Sequence, residues 1–206
     1  MARIYGYGED SLTYNVLSTQ LQQLLIKLRD DSLLDKCRIV YRPSFGRAGG
    51  SQFGEFDAIV QTTRSTFLIE SKWDHIRPAA NNVILKDVQT LRHRIFKWMR
   101  RKWMELRPPS WAKFKLDAEA EFSREFNGRK LANNGTLLAR NCFELLLLLQ
   151  DGPAAMTNVL LYFISTEAAP TSILDERLQP LADPFELCIF SNPNLNASGY
   201  ILMVDA

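Results

Sequence analysis

The sequence predicts an α/β fold: a central mixed sheet flanked by helices. Three observations point to it. Apolar runs of strand length, bounded by turn residues, recur at 37–43, 55–62, 66–72, 158–165, 185–190 and 200–205. Around them lie stretches whose apolar residues return every three or four positions, as on one face of a helix. The order is one helix, three strands, several helices and three more strands, and a sheet covered by helices satisfies it.

The first helix is expected over residues 10–30. Thr13, Leu17, Leu21, Leu24 and Leu28 form its stripe. "CRIVYRP", 37–43, is a short strand stopped by Pro43. "SFGRAGGSQFG", 44–54, is a loop whose four glycines permit close backbone approach to a ligand. "EFDAIVQT" and "TFLIESKW" are two strands joined by a tight turn near Thr63–Ser65. Asn81 or Asn82 is placed to cap a long helix running to about 106, with Ile84, Val88, Leu91, Ile95 and Trp98 on its buried face. "RPPS", 107–110, ends it. Helices at about 113–127 and 130–150 form an added helical insertion, about 110–150, closed by Gly152-Pro153. Leu145–Leu149 is apolar all round and reads as buried helix. "NVLLYFIS", "FELCIF" and "YILMVD" are the last strands. Without repeat, low-complexity tract or linker, residues 1–206 read as a single domain.

Composition excludes several classes. At 206 residues and 46% hydrophobic, the chain is long enough to bury a core. Its longest apolar run is too short to span a bilayer, and "MARIYGYGED" lacks the apolar core of a secretory signal. Three scattered cysteines argue against a disulfide framework and fit a reducing cytoplasm. The two histidines, His75 and His93, sit in no zinc or serine-hydrolase motif. The net charge of +2 hides an asymmetry. Residues 151–206 carry seven acids and one base, Arg177, a net −6 that leaves +8 for residues 1–150. The basic excess peaks at "RHRIFKWMRRKWMELR", 92–107, with seven Arg/Lys against one Glu. That stripe, interleaved with Trp98, Trp103 and Trp111, suits a polyanion partner or a solvated helix face. His93 is expected on the helix surface.

The hairpin carries the chemistry. If 55–62 and 66–72 pair, Asp57 and Glu70 come from neighbouring strands. Two carboxylates that close repel unless a cation or proton lies between them. Lys72 lies two residues beyond Glu70 and therefore on the same strand face. Carboxylate oxygens and an ammonium converging on one spot suit Mg²⁺, which takes few carboxylates, several waters and substrate phosphate oxygens. An exposed hairpin would make Glu70–Lys72 a surface ion pair of little value. Phe67-Leu68-Ile69 leading straight into the acid argues for burial.

This constellation resembles the PD-(D/E)XK nuclease superfamily, the restriction-endonuclease-like fold with an αβββαβ core. The pattern stands as Gly54-Glu55-Phe56-Asp57, twelve intervening residues, then Glu70-Ser71-Lys72. The resemblance implies that Asp57, Glu70 and the Ser71 backbone carbonyl ligate Mg²⁺, with Mn²⁺ as a substitute, and that Lys72 serves the attacking water. It also implies a first-helix glutamate, for which Glu9 is the candidate and Asp10 the fallback or the N-cap. Phe56 replaces the family's proline. Where some branches carry Gln-x-x-x-Tyr, this chain has Gln89 and His93. A Glu-x-Lys triplet alone carries little; the strand, hairpin and helices around it carry the likeness.

The expected function is a Mg²⁺-dependent endonuclease, cutting DNA in preference to RNA, in restriction or anti-phage defence. Catalysis would rest on Asp57, Glu70, Lys72 and Glu9. Arg42, Arg47, Lys86, Gln89, Arg92, Arg94, Lys97, Arg100, Arg101 and Lys102 would contact the nucleic acid backbone. A homodimer is compatible with this. Two other readings stay open: an inactive nucleic-acid-binding module of the same fold, and a defence effector gated by a partner or ligand.

Overall fold

The computed structural model describes residues 3–43, 54–73, 82–164, 170–191 and 200–205, with 3–4 and 200–205 as backbone only. Arg47, Asn81 and most of the glycine-rich loop lie outside the described residues. A five-stranded sheet forms the centre. It is built from β2 (Arg38–Tyr41), β3 (Ala58–Gln61), β4 (Thr66–Trp73), β6 (Met156–Ile164) and β8 (Phe185–Ser191). The spatial order is β2-β3-β4-β6-β8. β2, β3 and β4 pair antiparallel, whereas β4, β6 and β8 run parallel, so the sheet is mixed as expected.

The strand period of two splits the apolar residues between two layers. Ala58, Val60, Phe67, Ile69, Val159 and Leu161 face one side, against α1 (Gly8–Thr19) and α2 (Leu21–Lys27). Phe56, Ile59 and Leu68 face the other, against α3 (Asp87–Leu106), α4 (Trp111–Glu125) and α5 (Leu137–Leu148). β4 is buried along both faces from Thr66 to Ser71 and therefore reads as one apolar run, as parallel central strands do. Local signals set the helix ends. Arg107 takes the left-handed conformation, φ 45°, and stops α3 before Pro108. Ser110 and Thr136 hydroxyls accept from Lys113 and Ala139 amides and cap α4 and α5.

Several expectations change. The first helix breaks at Gln20 into two, although Thr13, Leu17, Leu24 and Leu28 keep the buried stripe. Asn82 does not cap a helix. It opens β5 (Asn82–Leu85), which pairs in parallel with β7 (Ser172–Asp175), and Lys86 stands at the N-cap of α3. Ile84 and Val88 are exposed for that reason; the buried stripe of α3 runs through Ile95, Phe96, Trp98, Met99 and Trp103. β1 (Arg3–Tyr7) pairs antiparallel with β9 (Tyr200–Asp205) apart from the main sheet. Trp98, Trp103 and Trp111 are packed into the helical layer and offer no stacking surface for bases. Leu145, Leu146 and Leu149 are buried, but Leu148 is exposed. No helix among the described residues is long and apolar enough to cross a membrane.

The end of α5 is capped by tertiary contacts as well as by the Gly152 amide, which donates to the Leu149 carbonyl at 3.2 Å. Its last carbonyls lack helical partners. Gln61 Nε2 donates to the Leu149 carbonyl at 3.1 Å, Arg100 Nη2 donates to the same oxygen at 3.1 Å, and Arg38 donates to the Leu148 carbonyl. β2, β3 and α3 are thus pinned to one helix end. Gly152 passes so close that a Cβ there would overlap the Gln61 amide. Gly152→Ala is expected to push Gln61 off the Leu149 carbonyl and cost about 1–3 kcal/mol. Urea denaturation measures this, and an unchanged midpoint would remove the crowding from the account.

Candidate active site

Asp57 precedes β3, and its amide donates to the Ile69 carbonyl of β4 at 3.2 Å. Its Oδ2 accepts from the Ser71 amide at 2.7 Å. The backbone of one strand therefore aims the side chain at the end of the next. Glu70 and Lys72 point to the α3 side of β4. Ser71 points to the α1 side, where its Oγ accepts from the buried Thr13 hydroxyl at 2.7 Å. That bond locks α1 onto β4, and Glu9 is one turn earlier on the same helical line.

Glu70 is 3% exposed. A buried carboxylate needs a partner for each oxygen. Its Oε1 accepts from Lys72 Nζ at 3.2 Å and from Gln89 Nε2, and its Oε2 accepts from Arg92 Nη2. Gln89 also accepts from the Lys86 amide through Oε1 at 2.9 Å, so the first turn of α3 is fixed to the acid. Arg92 is buried with its guanidinium 5.3 Å from the Phe56 ring centroid. Phe56 thus supplies an apolar support for the arginine that neutralises Glu70. Gly54 leaves the room: at φ +63°, a Cβ on it would run into Arg92 Nη1.

Three oxygens turn toward one cation. Lys72 Nζ lies 2.8 Å from the Ser71 carbonyl oxygen, 3.2 Å from Glu70 Oε1 and 3.9 Å from Glu9 Oε1. Burial, with the Glu70 charge, pushes the Asp57 carboxyl up to about 6. Burial pushes Glu9 up to about 7, with Lys72 opposing and Asp57 and Glu70 adding. Asp10, the fallback, is bound to Arg42, and its carbonyl accepts from the Tyr41 hydroxyl at 2.7 Å.

His93 is fully buried, not on the surface. Asn158 Nδ2 donates to the Pro184 carbonyl at 3.2 Å, which turns Asn158 Oδ1 toward His93 Nδ1 at 3.0 Å. Nδ1 is then the protonated nitrogen. Burial lowers the His93 pKa to about 3, so the ring is neutral at physiological pH. It holds α3 to β6, and its Nε2 lies 4.0 Å from Glu70 Oε2.

The expected basic contacts divide. Arg42 is clamped between Asp10 and Glu55. Lys97 pairs with Asp183 at 2.9 Å, and Lys102 with Glu121 at 2.6 Å and Glu105 at 3.1 Å. Arg100 is 1% exposed and bonded to the end of α5, so it is not a surface contact. Gln89 and Arg92 are committed to Glu70. Lys86, Arg94 and Arg101 are exposed. Helical periodicity cannot tell a cation that caps a distant helix end from one facing water; the partner of Arg100 lies 49 residues away.

Among the described residues, no three His, Cys, Asp or Glu side chains are gathered to hold a metal by themselves. The donor chemistry nevertheless fits a hard cation. It is all oxygen, includes a backbone carbonyl, and already surrounds an ammonium. Comparison with protein-family models, with curated proteins and with solved structures finds no match.

The raised acids bind protons more tightly in the folded chain than in the unfolded one, where they titrate near about 4. Stability should therefore fall as pH rises from about 4 through about 7. Thermal melts in EDTA across pH 5–8 are expected to show this decline, and Glu9→Gln with Asp57→Asn should flatten it. An equal decline in the double variant would contradict the repulsion.

Proposed function

We propose that the chain is a metal-dependent nuclease with a restriction-endonuclease-like core, hydrolysing phosphodiester bonds, DNA before RNA. One observation carries the reading. Oxygens from Glu70, the Ser71 carbonyl and Glu9 converge on one positive charge, with Asp57 beside them, at the end of a central strand. The order α1, β2, β3, β4, α3 and β6, with α2, β5, α4 and α5 interposed, supports it as well.

In this reading Asp57, Glu70 and the Ser71 carbonyl would hold Mg²⁺, and Glu9 would stand as the further acid. Bound there, the ion would supply charge stabilisation to the phosphate. The chain's own residues do the rest. Arg92 and Gln89 hold Glu70 fixed in orientation. Lys72 Nζ has three hydrogens and uses two on Ser71 and Glu70, which leaves one to hold the attacking water. Thr13 keeps α1, and so Glu9, against the strand end. Lys86, exposed at the start of α3 with its amide bonded to Gln89, is a candidate for a backbone phosphate contact.

A second reading has its own support. Both Glu70 oxygens already have protein partners, as in a binding module of this fold without turnover. Cleavage of plasmid and single-stranded DNA with and without Mg²⁺ separates the two. Wild-type protein is expected to cut only with the metal, and folded Asp57→Ala and Glu70→Ala not at all. Wild-type-like cutting by Asp57→Ala would make the site assignment wrong, and binding without cutting by any form favours the module. Lys72→Ala is expected to lower kcat by roughly a hundredfold or more with KM little changed. A rise in KM at constant kcat would make the lysine a phosphate clamp instead.

A further inference from the structure

A second cluster of cations lies further along α3, away from Glu70. Arg94, Lys97, Arg100 and Arg101 line a cleft of about 640 Å³ between α3, the end of α4 and the segments near Ala154 and Asp183. That volume is in the range of small-molecule sites.

Arg100 is the feature that asks for a ligand. It is buried, and among the described residues its Nε has no hydrogen-bond partner and its one bond is to a neutral carbonyl. No carboxylate pairs with it among the described residues. Buried charges are ordinarily paired, because removing an ion from water is costly. Burial accordingly lowers its pKa. By contrast, Lys97 in the same wall has its partner in Asp183.

The rest of the cleft narrows the ligand. Arg94 and Arg101 are exposed and paired with no acid among the described residues. They offer two accessible guanidinium groups, whose geometry matches phosphate, and the charge of buried Arg100 stands behind them in the wall. The Arg94 guanidinium is laid over Phe126, 5.9 Å from the ring centroid, a flat surface on which a flat ring can stack. Trp98 adds an apolar wall. Glu125 and Asp183 stand in the lining too, and their charges disfavour a long polyanion threading through. We propose that this cleft binds a small phosphorylated ligand with a flat ring, a nucleotide, its phosphate on Arg94 and Arg101 and attracted by the buried charge of Arg100. The site is separate from the acid cluster and does not depend on that cluster being catalytic.

Calorimetric titration of the full chain with AMP, inorganic phosphate and a single-stranded DNA oligonucleotide tests this. AMP is expected to bind with one site per chain and more tightly than phosphate. Arg94→Ala and Arg101→Ala, both at exposed positions, should each weaken it about tenfold or more. Asp57→Asn should leave AMP binding unchanged, whether or not the chain is a nuclease. Absence of AMP binding, equal affinity for phosphate and AMP, or indifference to both arginine variants would overturn the inference. So would binding of the oligonucleotide alone through these arginines, which would make the cleft a backbone track.

Discussion

A carboxylate held almost out of water at the end of a central strand constrains everything around it. Glu70 accepts from Lys72, Gln89 and Arg92, and so requires β4 and α3 to meet at one fixed distance and rotation. Losing any one donor would leave a buried charge short of a partner, a change that typically costs several kcal/mol. Phe56 backs Arg92, Gly54 leaves it room, and His93 with Asn158 ties the same turn of α3 to β6. The polar cluster and the helix packing are one arrangement.

That arrangement places β4 between two jobs. Its odd positions, Phe67, Ile69 and Ser71, serve the α1–α2 layer, and its even positions, Leu68 and Glu70, serve the α3 layer. The strand is apolar through Ile69, and its charges begin at Glu70, which the first turns of α3 still cover. α1 then brings Glu9 to the rim through Thr13, and β3 brings Asp57 through the Ser71 amide. Acids from three elements are thereby brought near one ammonium, at a cost visible in the raised pKa values of Glu9 and Asp57.

Much of this was legible in the sequence. The hairpin and the shared face of Glu70 and Lys72 follow from turn residues and a period of two, which are local rules; Glu9 came forward only as what the resemblance implies. What was not legible depends on partners far along the chain. β5 reads as the start of a helix because four residues are too few to show alternation, and only β7, about ninety residues on, makes it a strand. Arg100 reads as surface because nothing local announces the open end of α5. His93 reads the same way until Asn158 gives it a partner. The tryptophans interleaved with the basic stretch suggested a face for a polyanion, but they belong to a helical layer whose other half, α4 and α5, comes later in sequence.

The central claim is that the oxygens around Lys72 form a cation site. Mn²⁺ titration followed by electron paramagnetic resonance tests it without reference to any substrate. One Mn²⁺ bound per wild-type chain, competed by Mg²⁺ and lost in Asp57→Asn, is the expected result. No bound ion, or an ion retained at full affinity in Asp57→Asn and Glu70→Gln alike, would contradict it.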